Sequence, residues 1–374
     1  MSAIERLPTE LWDHIIDQLY NQPDALKSCS KVSKSWAIRS RKHIFSSISF
    51  NSVAFVVAWR NAFPDPCNSP AHHAKTLTIR MNQNNMFPPK YIPSFCNVTR
   101  LVLHVHPNHN CQVSLLPLHG FAPSLKSVRM TFQTLAAGSI MSLMYTFPLL
   151  DDLLLVGNPS ESRTKATLPA TPPTLSGSVC LMVYPGMRTM VDNLLSLPSG
   201  IHFRELTLPW ICDEDVCPML DLISACSGTL ESLQVLSRMD QGNTCIDLSS
   251  ATNIKSVAFR SEVRTHNIDW IAIAIESIKS RRLEEVALYL PRDFLTNTAM
   301  SSQIPAVVYV QWLALDKVLL RYLTARSLKL KVVRRPKMDE KTFVDCVECL
   351  LPSLFGKNRN VRAVAHLVRM ESTT

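Results

Sequence analysis

A group of histidines with one cysteine is the part of the chain best suited to bind a metal. His104, His106, His109 and Cys111 lie close together, and alternation along a strand would place His104 and His106 on one face, where both could ligate zinc. No second Cys or His pair at zinc-finger spacing accompanies them, which favours a polar loop over a metal site. We therefore predict no metal and no cofactor.

Cys346 and Cys349 form a lone CxxC on a predicted helix, a pattern that indicates buried helix-face thiols more than a redox centre. Motifs of hydrolases and metalloproteases (GxSxG, HExxH) do not occur. Only 9 of 374 residues are glycine, and neither GxGxxG nor GxxxxGK[ST] is present, which argues against nucleotide-binding loops. The sequence therefore predicts a protein that is not an enzyme.

The first six residues lead into no apolar stretch, and no apolar run approaches the length of a membrane span, so we predict neither a secretory signal nor a membrane segment. Eleven cysteines scattered along such a chain are typical of reduced thiols, many of them in the core. We expect the protein in the cytoplasm, the nucleus or both.

The formal net charge of +9 allows a nucleic acid, an acidic surface or a phosphorylated partner. Two groups of cations supply much of it. They are Lys31, Lys34, Arg39, Arg41 and Lys42 near the N-terminus, and Lys317, Arg321, Arg326, Lys329, Lys331, Arg334, Arg335 and Lys337 near the C-terminus. Only Tyr322 offers an aromatic ring beside the second group, so nucleic-acid binding is disfavoured.

A pattern of three apolar residues, spaced as apolar-x-x-apolar-x-apolar, recurs between residues 45 and 330. Leu125-Lys-Ser-Val128-Arg-Met130 and Phe203-Arg-Glu-Leu206-Thr-Leu208 are examples. The central apolar residues of successive copies are 24 to 29 residues apart, except for a last step of 42 that ends at Leu328. A fixed period of this length is typical of a solenoid of stacked repeats, with one strand in each repeat.

The segments between the predicted strands carry apolar residues at helical spacing and predict return helices. These segments are Ser52–Phe63, Thr134–Phe147, Met187–Leu197, Glu214–Ser227 and Ile268–Lys279, with Asp213 and Asn267 as candidate caps. The segment from Gly157 to Ser178 is rich in Pro, Ser and Thr and predicts an exposed loop. An insertion around 292–324 should contain a helix from about Val307 to Leu323, and residues 338–374 should cap the array.

Residues 7 to 45 predict two or three short helices that carry more apolar surface than so short a segment can bury. Pro8 suits the first position of a helix, on which Leu11, Ile15 and Leu19 recur every four residues. Asp24 is a candidate cap for a second helix that extends to Trp36. Such an array needs a partner surface.

The ordered set Leu-Pro-x-Glu-Leu, Ile, Leu, then Leu, Val and Trp resembles the F-box. This resemblance implies docking of a substrate receptor onto the Skp adaptor of a cullin-RING ubiquitin ligase. The positions that would bind the adaptor are Leu7, Pro8, Leu11, Ile15, Ile16, Leu19, Leu26, Val32 and Trp36. The alternative is an amphipathic helical cap on a larger domain, with these residues facing inward.

The repeats resemble the irregular leucine-rich repeats that are joined to F-boxes, and the copy that ends at Asn158 completes LxxLxLxxN. The expected fold class is α/β, with a helical F-box at 1–45 followed by a leucine-rich-repeat-like solenoid of parallel strands with helical returns at 46–374. No linker separates them in the sequence, so we expect a stiff connection between the F-box and the first repeat.

The strand pattern also predicts which residues point out of the solenoid, and these form a face with an apolar middle and basic ends. Such a face suits a protein or peptide partner. Candidate substrate-binding residues on it are Arg80, His104, Arg129, Arg260, Tyr289, Lys329 and Lys331. The alternative is that loops cover the face and the charges are only solvated.

These patterns lead to one preferred hypothesis, a non-catalytic substrate-recognition subunit of a Skp–cullin–F-box ubiquitin ligase. The other hypothesis is a repeat scaffold for protein–protein interaction outside any ligase. Recovery of a cullin together with the adaptor would distinguish them.

Overall fold

The structure is a computed structural model, and the residues that it describes fall into two compact units, Met1–Thr174 and Leu175–Thr374. The described residues are 8–81, 92, 94–105, 116–121, 123–160, 173–210, 213–237, 245–261, 268–289, 306–325, 329–334, 340–355 and 366–369. The unit boundary lies in the segment rich in Pro, Ser and Thr. The domain boundary predicted after residue 45 falls inside the first unit.

The first unit begins with three helices and continues with parallel strands. Its helices are α1 (Thr9–Gln18), α2 (Pro23–Cys29), α3 (Lys34–Ile44), α4 (Val53–Ala62) and α5 (Ala137–Tyr145), with 3-10 turns at Pro66–Asn68, Pro70–His73 and Leu116–Phe121. Its strands are β1 (Ser47–Phe50), β2 (Thr76–Met81), β3 (Arg100–Val105), β4 (Ser127–Ala136) and β5 (Asp152–Ser160).

Each of these strands pairs in parallel with the next, and the repeated apolar residues align across them. One row of paired residues runs Ile48, Leu77, Leu101, Val128 and Leu153, and all five are buried. A second row two residues further along each strand is also buried. The apolar repeat therefore encodes the register, because a slip by one residue would expose every side chain in both rows.

The second unit continues the same plan. Its strands are β6 (Ser178–Val183), β7 (Glu205–Trp210), β8 (Ser232–Ser237), β9 (Ser256–Ser261), β10 (Glu285–Tyr289), β11 (Lys329–Arg334) and β12 (His366–Arg369). Its helices are α6 (Met187–Leu195), α7 (Val216–Ala225), α8 (Asp269–Ser277), α9 (Ala306–Ala325), α10 (Glu340–Leu350) and α11 (Pro352–Phe355), with a 3-10 turn at Asp213–Asp215. Each strand again pairs in parallel with the next. The predicted α/β class with parallel strands is confirmed.

Helices α4 to α8 lie within the five predicted return segments. Strand β4 runs on to Ala136, so α5 begins three residues after the predicted start at Thr134. The predicted helix in the insertion is confirmed as α9. Its Gln311 accepts from Ile268 N at 3.2 Å, and its Asp316 accepts from Ser353 N at 2.8 Å. These bonds attach α9 to α8 on one side and to α11 on the other.

Two predictions about the strands were wrong. Gly157 to Ser160 belong to β5 and not to a loop, because they pair with the end of β4. In β11 the residue opposite Val286 is Leu330 and not Leu328, so the register is two residues later than the pattern indicated. Leu330 and Val332 supply the buried positions of that strand, and Leu328 lies outside the described residues.

Candidate functional site

Helices α1, α2 and α3 form a small packed group, which we call the helical module. Ile16 on α1 and Leu26 on α2 are 0% and 1% exposed and form its centre. The rings of Trp12 and Trp36 lie with their centroids 4.8 Å apart and join α1 to α3. Burial of these apolar side chains holds the three short helices together, since helices of this length are marginal alone.

Local signals explain where the helices begin. Ser33 caps α3 by accepting a hydrogen bond from Trp36 N at 3.3 Å, and this divides the predicted second helix into α2 and α3. Pro23 occupies the first turn of α2, and Asp24 lies within that turn and not at the cap. Pro8 precedes α1, which begins at Thr9, so its predicted place as the first helical residue was also wrong by one position.

An ion pair that the sequence analysis missed links the ends of the module. Arg39 on α3 donates from both Nε and Nη2 to the Asp17 carboxylate on α1, and the Nε–Oδ1 distance is 2.7 Å. His43 Nε2 lies 2.6 Å from Asp17 Oδ1. The hydrogen bonds from Arg39, aided by His43, hold the pKa of Asp17 well below its usual range despite partial burial. A carboxylate 22 residues from its partner therefore fixes how α1 lies on α3.

Replacing Asp17 with Asn is expected to destabilise the helical module by about 1 kcal/mol, because two charge-assisted bonds are lost. The folded pKa is lower than the unfolded pKa, so this stabilisation is present at neutral pH and is lost as the pH falls below about 4. Hydrogen exchange of α1 and α3 at pH 7 and pH 3 measures both effects. Asp24→Asn is the control, since the exposed Asp24–Lys27 pair should contribute almost nothing. Equal protection of the two variants at pH 7 would refute the role of Asp17.

The module exposes large apolar side chains that a folded helical group would normally hide. Leu11 and Ile15 on α1 are 50% and 46% exposed, Val32 between α2 and α3 is 52% exposed, and Ile38 on α3 is 61% exposed. Tyr20, just after α1, is 63% exposed. We call these five residues the apolar helical surface. Leu11 and Ile15 are one turn apart on the same side of α1, away from the buried Ile16.

The predicted adaptor-binding residues therefore separate into three groups. Pro8, Leu11, Ile15 and Val32 are exposed, whereas Leu19 and Trp36 are half-buried. Ile16 and Leu26 are buried inside the module, so their predicted role as direct contacts was wrong, and they support the surface from below. Leu7 lies outside the described residues. Tyr20 and Ile38 belong to the surface but were missed, because neither fits the stripe that singled out the others.

Four lysines and arginines lie close in sequence to residues of the apolar helical surface. Lys31 and Lys34 flank Val32 closely, and Arg41 and Lys42 follow Ile38 by one helical turn. All four are exposed. A partner that covers the apolar residues would therefore meet positive charge nearby, which favours acidic groups at the edge of that partner.

Aromatic packing joins the helical module to the first strand of its unit. Phe45 follows α3 directly, and β1 begins two residues later at Ser47. The ring of Trp59 on α4 lies 6.3 Å from that of Phe45, 5.6 Å from Phe50 and 6.1 Å from Phe95, measured between centroids. Phe63 lies 4.7 Å from Trp59. This cluster packs the end of α3 against α4 and β1, and only Phe45 and Ser46 separate α3 from β1.

The outer face of the first unit carries three of the predicted substrate-binding residues. Arg80 on β2 pairs in register with His104 on β3, and Val102 on β3 pairs with Arg129 on β4. Arg80 and Arg129 are exposed and His104 is half-buried. The structure therefore brings these three together on adjacent strands. Arg100, exposed at the start of β3, shares the same face and was missed.

The remaining predicted substrate-binding residues lie in the second unit and are less available. Arg260 and Tyr289 are half-buried neighbours in register on β9 and β10. Lys331 donates to Glu285 at 2.6 Å, so its charge is matched within the protein, while Lys329 stays exposed. Leu236 and Ala287, which also point outward in the strand pattern, are 6% and 4% exposed. Part of this outer face is therefore covered.

The C-terminal cations are also partly engaged. Arg321 Nη1 on α9 lies 3.2 Å from Glu276 Oε1 on α8, and Tyr322 donates to the carbonyl of Ile278 at 3.2 Å. The hydroxyl of Tyr322, the aromatic residue that the sequence analysis singled out beside these cations, therefore bonds to the backbone at the end of α8.

The described residues include only part of the predicted histidine and cysteine groups. Among them no three His, Cys, Asp or Glu side chains could hold a metal ion together. Of the predicted cluster only His104 is described, and His106, His109 and Cys111 lie outside the described ranges. Cys349 is exposed on α10, so its expected burial was wrong. Of the cysteines whose burial is described, only Cys226 is buried, and burial raises the pKa of its thiol to about 11.

In the described part of the chain, none of the helices has the length and apolar character needed to cross a membrane. Comparison of the sequence with protein-family models and with curated proteins found no match.

Proposed function

We propose that the protein is the substrate-recognition subunit of a Skp–cullin–F-box type ubiquitin ligase. One observation carries the proposal, namely that Leu11, Ile15 and Val32 stay about half exposed on a helical module whose own centre is already filled by Ile16 and Leu26. The alternative of a helical cap would place Leu11 and Ile15 inward. The order Leu-Pro-x-Glu-Leu, Ile, Leu, Leu, Val and Trp along the same residues supports the F-box assignment.

The energetics favour a stable complex with an adaptor. Burying one exposed Leu, Ile or Val side chain contributes roughly 1.5–3 kcal/mol, so a few anchors can dominate binding. Contiguous exposed apolar surface is uncommon on monomeric proteins, and Leu11 and Ile15 lie one helical turn apart on the same side of α1. The exposed lysines and arginines beside it would add electrostatic attraction for an acidic adaptor edge.

The aromatic connection between the helical module and β1 supports a role in positioning. A rigid receptor holds a bound protein at a fixed place relative to the ligase's catalytic end, which raises the local concentration of its lysines there. The receptor itself performs no chemistry. Its repeat face would bind the protein substrate.

The second hypothesis, a repeat scaffold outside any ligase, uses the same surface with a different partner. It predicts adaptor-like binding through the helical module without a cullin. Recovery of the cullin together with the adaptor supports the ligase, and recovery of the adaptor alone from a mixture that contains cullin supports the scaffold.

Replacing Leu7 and Pro8 with Ala in the full chain is expected to abolish co-purification of the adaptor and the cullin, because both residues belong to the F-box pattern in the sequence and Pro8, just before α1, is exposed. Purified adaptor and cullin incubated with tagged protein give the measurement. Circular dichroism checks that the repeats stay folded. Retention of the adaptor by this variant would refute the assignment.

A further inference from the structure

Three arginines occupy the outer face of β2, β3 and β4, and we call Arg80, Arg100 and Arg129 the arginine face. Each is exposed. In the residues that the structure describes, none of their guanidinium groups makes a hydrogen bond or an ion pair with the protein. Thr78, Ser127 and Thr131, all half-buried, lie among them on the same face.

Several other lysines and arginines of the protein form ion pairs with carboxylates. Lys331 on β11 is paired with Glu285 on β10 at 2.6 Å, and Arg188 on α6 lies 2.5 Å from Asp221 on α7. Lys255 before β9 pairs with Glu231 before β8 at 2.9 Å. In each case a neighbouring repeat supplies the carboxylate, the following one for Arg188 and the preceding one for Lys331 and Lys255. The strands beside the arginine face carry one outward acidic residue among the described residues, the exposed Asp152 on β5. It shares the row of Arg100 two strands away and lies next to β4, two residues from the row of Arg129. In the described part of the chain none of the three arginines forms an ion pair with it.

The spacing of the arginines suits several separate anions. Arg100 and Arg129 lie on adjacent strands and are offset by two residues, which places their Cα atoms about 8 Å apart. Arg80 and Arg129 are two strands apart and offset by two residues, a separation of about 12 Å. One phosphate group could not engage all three with bidentate geometry, whereas carboxylates along an extended segment could. Half-buried Val102 and Leu154, next to Arg129 in its row, add apolar contact area between the charges.

We infer that the arginine face binds an acidic protein segment, one with several Asp or Glu side chains and apolar residues between them. This inference rests on the proposed function, since it names the chemical class of the protein that the receptor recruits. The unit that carries the helical module also carries this face, so adaptor and acidic segment would bind to one compact body.

The test measures binding of the full chain to a fluorescein-labelled peptide in which four glutamates alternate with valines. The native protein is expected to bind this peptide at least tenfold more tightly than the same peptide with glutamines. In the Arg80→Gln/Arg129→Gln variant the affinity should fall about tenfold, and its dependence on salt should weaken. Arg281→Gln with Arg282→Gln is the matched control, because it removes two exposed arginines from a turn before β10 and should bind like the native protein.

Three results would overturn the inference. They are equal losses in the two double variants, preference for a peptide with a single phosphoserine over the glutamate peptide, and displacement of the peptide by a single-stranded oligonucleotide at equimolar concentration. Adaptor capture by the Arg80→Gln/Arg129→Gln variant is measured in parallel and should be unchanged. A failure of peptide binding with intact adaptor capture rejects the acidic-segment inference alone, and loss of adaptor capture by the native protein rejects the proposed function.

Discussion

Replacing Leu11 and Ile15 together with aspartate is expected to eliminate binding of a Skp adaptor by the full chain. Both side chains are about half exposed on the same side of α1, so the aspartates remain hydrated in the free protein and the helix stays folded. In a complex the same carboxylates would be removed from water without a partner, which costs several kcal/mol. The loss of two apolar anchors adds to this cost. Calorimetry with purified adaptor should therefore show at least a thousandfold loss of affinity.

The control is Leu149→Asp, which changes a leucine that is also 50% exposed but follows α5, far along the chain from the helical module. Its adaptor affinity should equal that of the native protein. Thermal unfolding of both variants should be close to native, which excludes misfolding as the cause of lost binding. If the Leu11→Asp/Ile15→Asp variant keeps its affinity, the apolar helical surface is not the docking site.

The register of the strands could be predicted from the sequence because two buried rows impose it. A residue such as Leu101 has Leu77 and Val128 beside it, so its burial depends on the neighbouring repeats as well as its own. The same apolar spacing in successive copies therefore fixes which residues meet. The exception, β11, follows the long insertion, where Ser327–Lys331 offers alternate apolar residues two positions apart and spacing alone does not choose between them.

The candidate site was harder to predict because periodicity shows which residues share a side but not which side is covered. Leu11, Ile15 and Ile16 all fit one broad apolar stripe, yet only Ile16 is buried. Which side of α1 is covered follows from how α1 packs on α3, where Trp12 contacts Trp36, and from the start of α3 at the Ser33 cap. The partnership of Asp17 with Arg39 likewise becomes apparent only once the helices are placed.

The sequence also could not show whether an outward basic side chain is already paired with a carboxylate of the protein. Arg129 and Lys331 are both outward residues on strands, and the pattern alone treated them alike. Glu285, which lies two residues before the position opposite Lys331, forms an ion pair with it. Asp152 lies in the same diagonal position relative to Arg129, yet the two form no ion pair among the described residues, and Arg129 has Val102 and Leu154 on either side. The difference depends on whether two side chains of neighbouring repeats come within ion-pair distance, which the spacing of either repeat does not show.

Replacing Gly157 with Ala is expected to destabilise the first unit by about 3 kcal/mol or more. Gly157 has φ +152° and lies opposite Phe132 on β4, and a Cβ added there would come within 1.9 Å of the Phe132 carbonyl oxygen. The obstacle is backbone and cannot rotate away, so β4 and β5 would have to separate. Since Phe132 is fully buried, separation would also open the core beside it. Hydrogen exchange of β4 and β5 should report the loss directly.

Two other glycines give a graded comparison. Gly228 has no atom within 4 Å of an added Cβ, so Gly228→Ala should change the stability by less than about 0.5 kcal/mol. Gly200 has φ +69° with its nearest neighbour, the His202 ring, at 3.8 Å, so Gly200→Ala should cost about 1 kcal/mol from backbone strain alone. Gly157→Ala differs from both because strain and collision act together. Protection of β4 and β5 equal to native in that variant would mean that these strands do not approach as closely as the pairing of Phe132 with Gly157 requires.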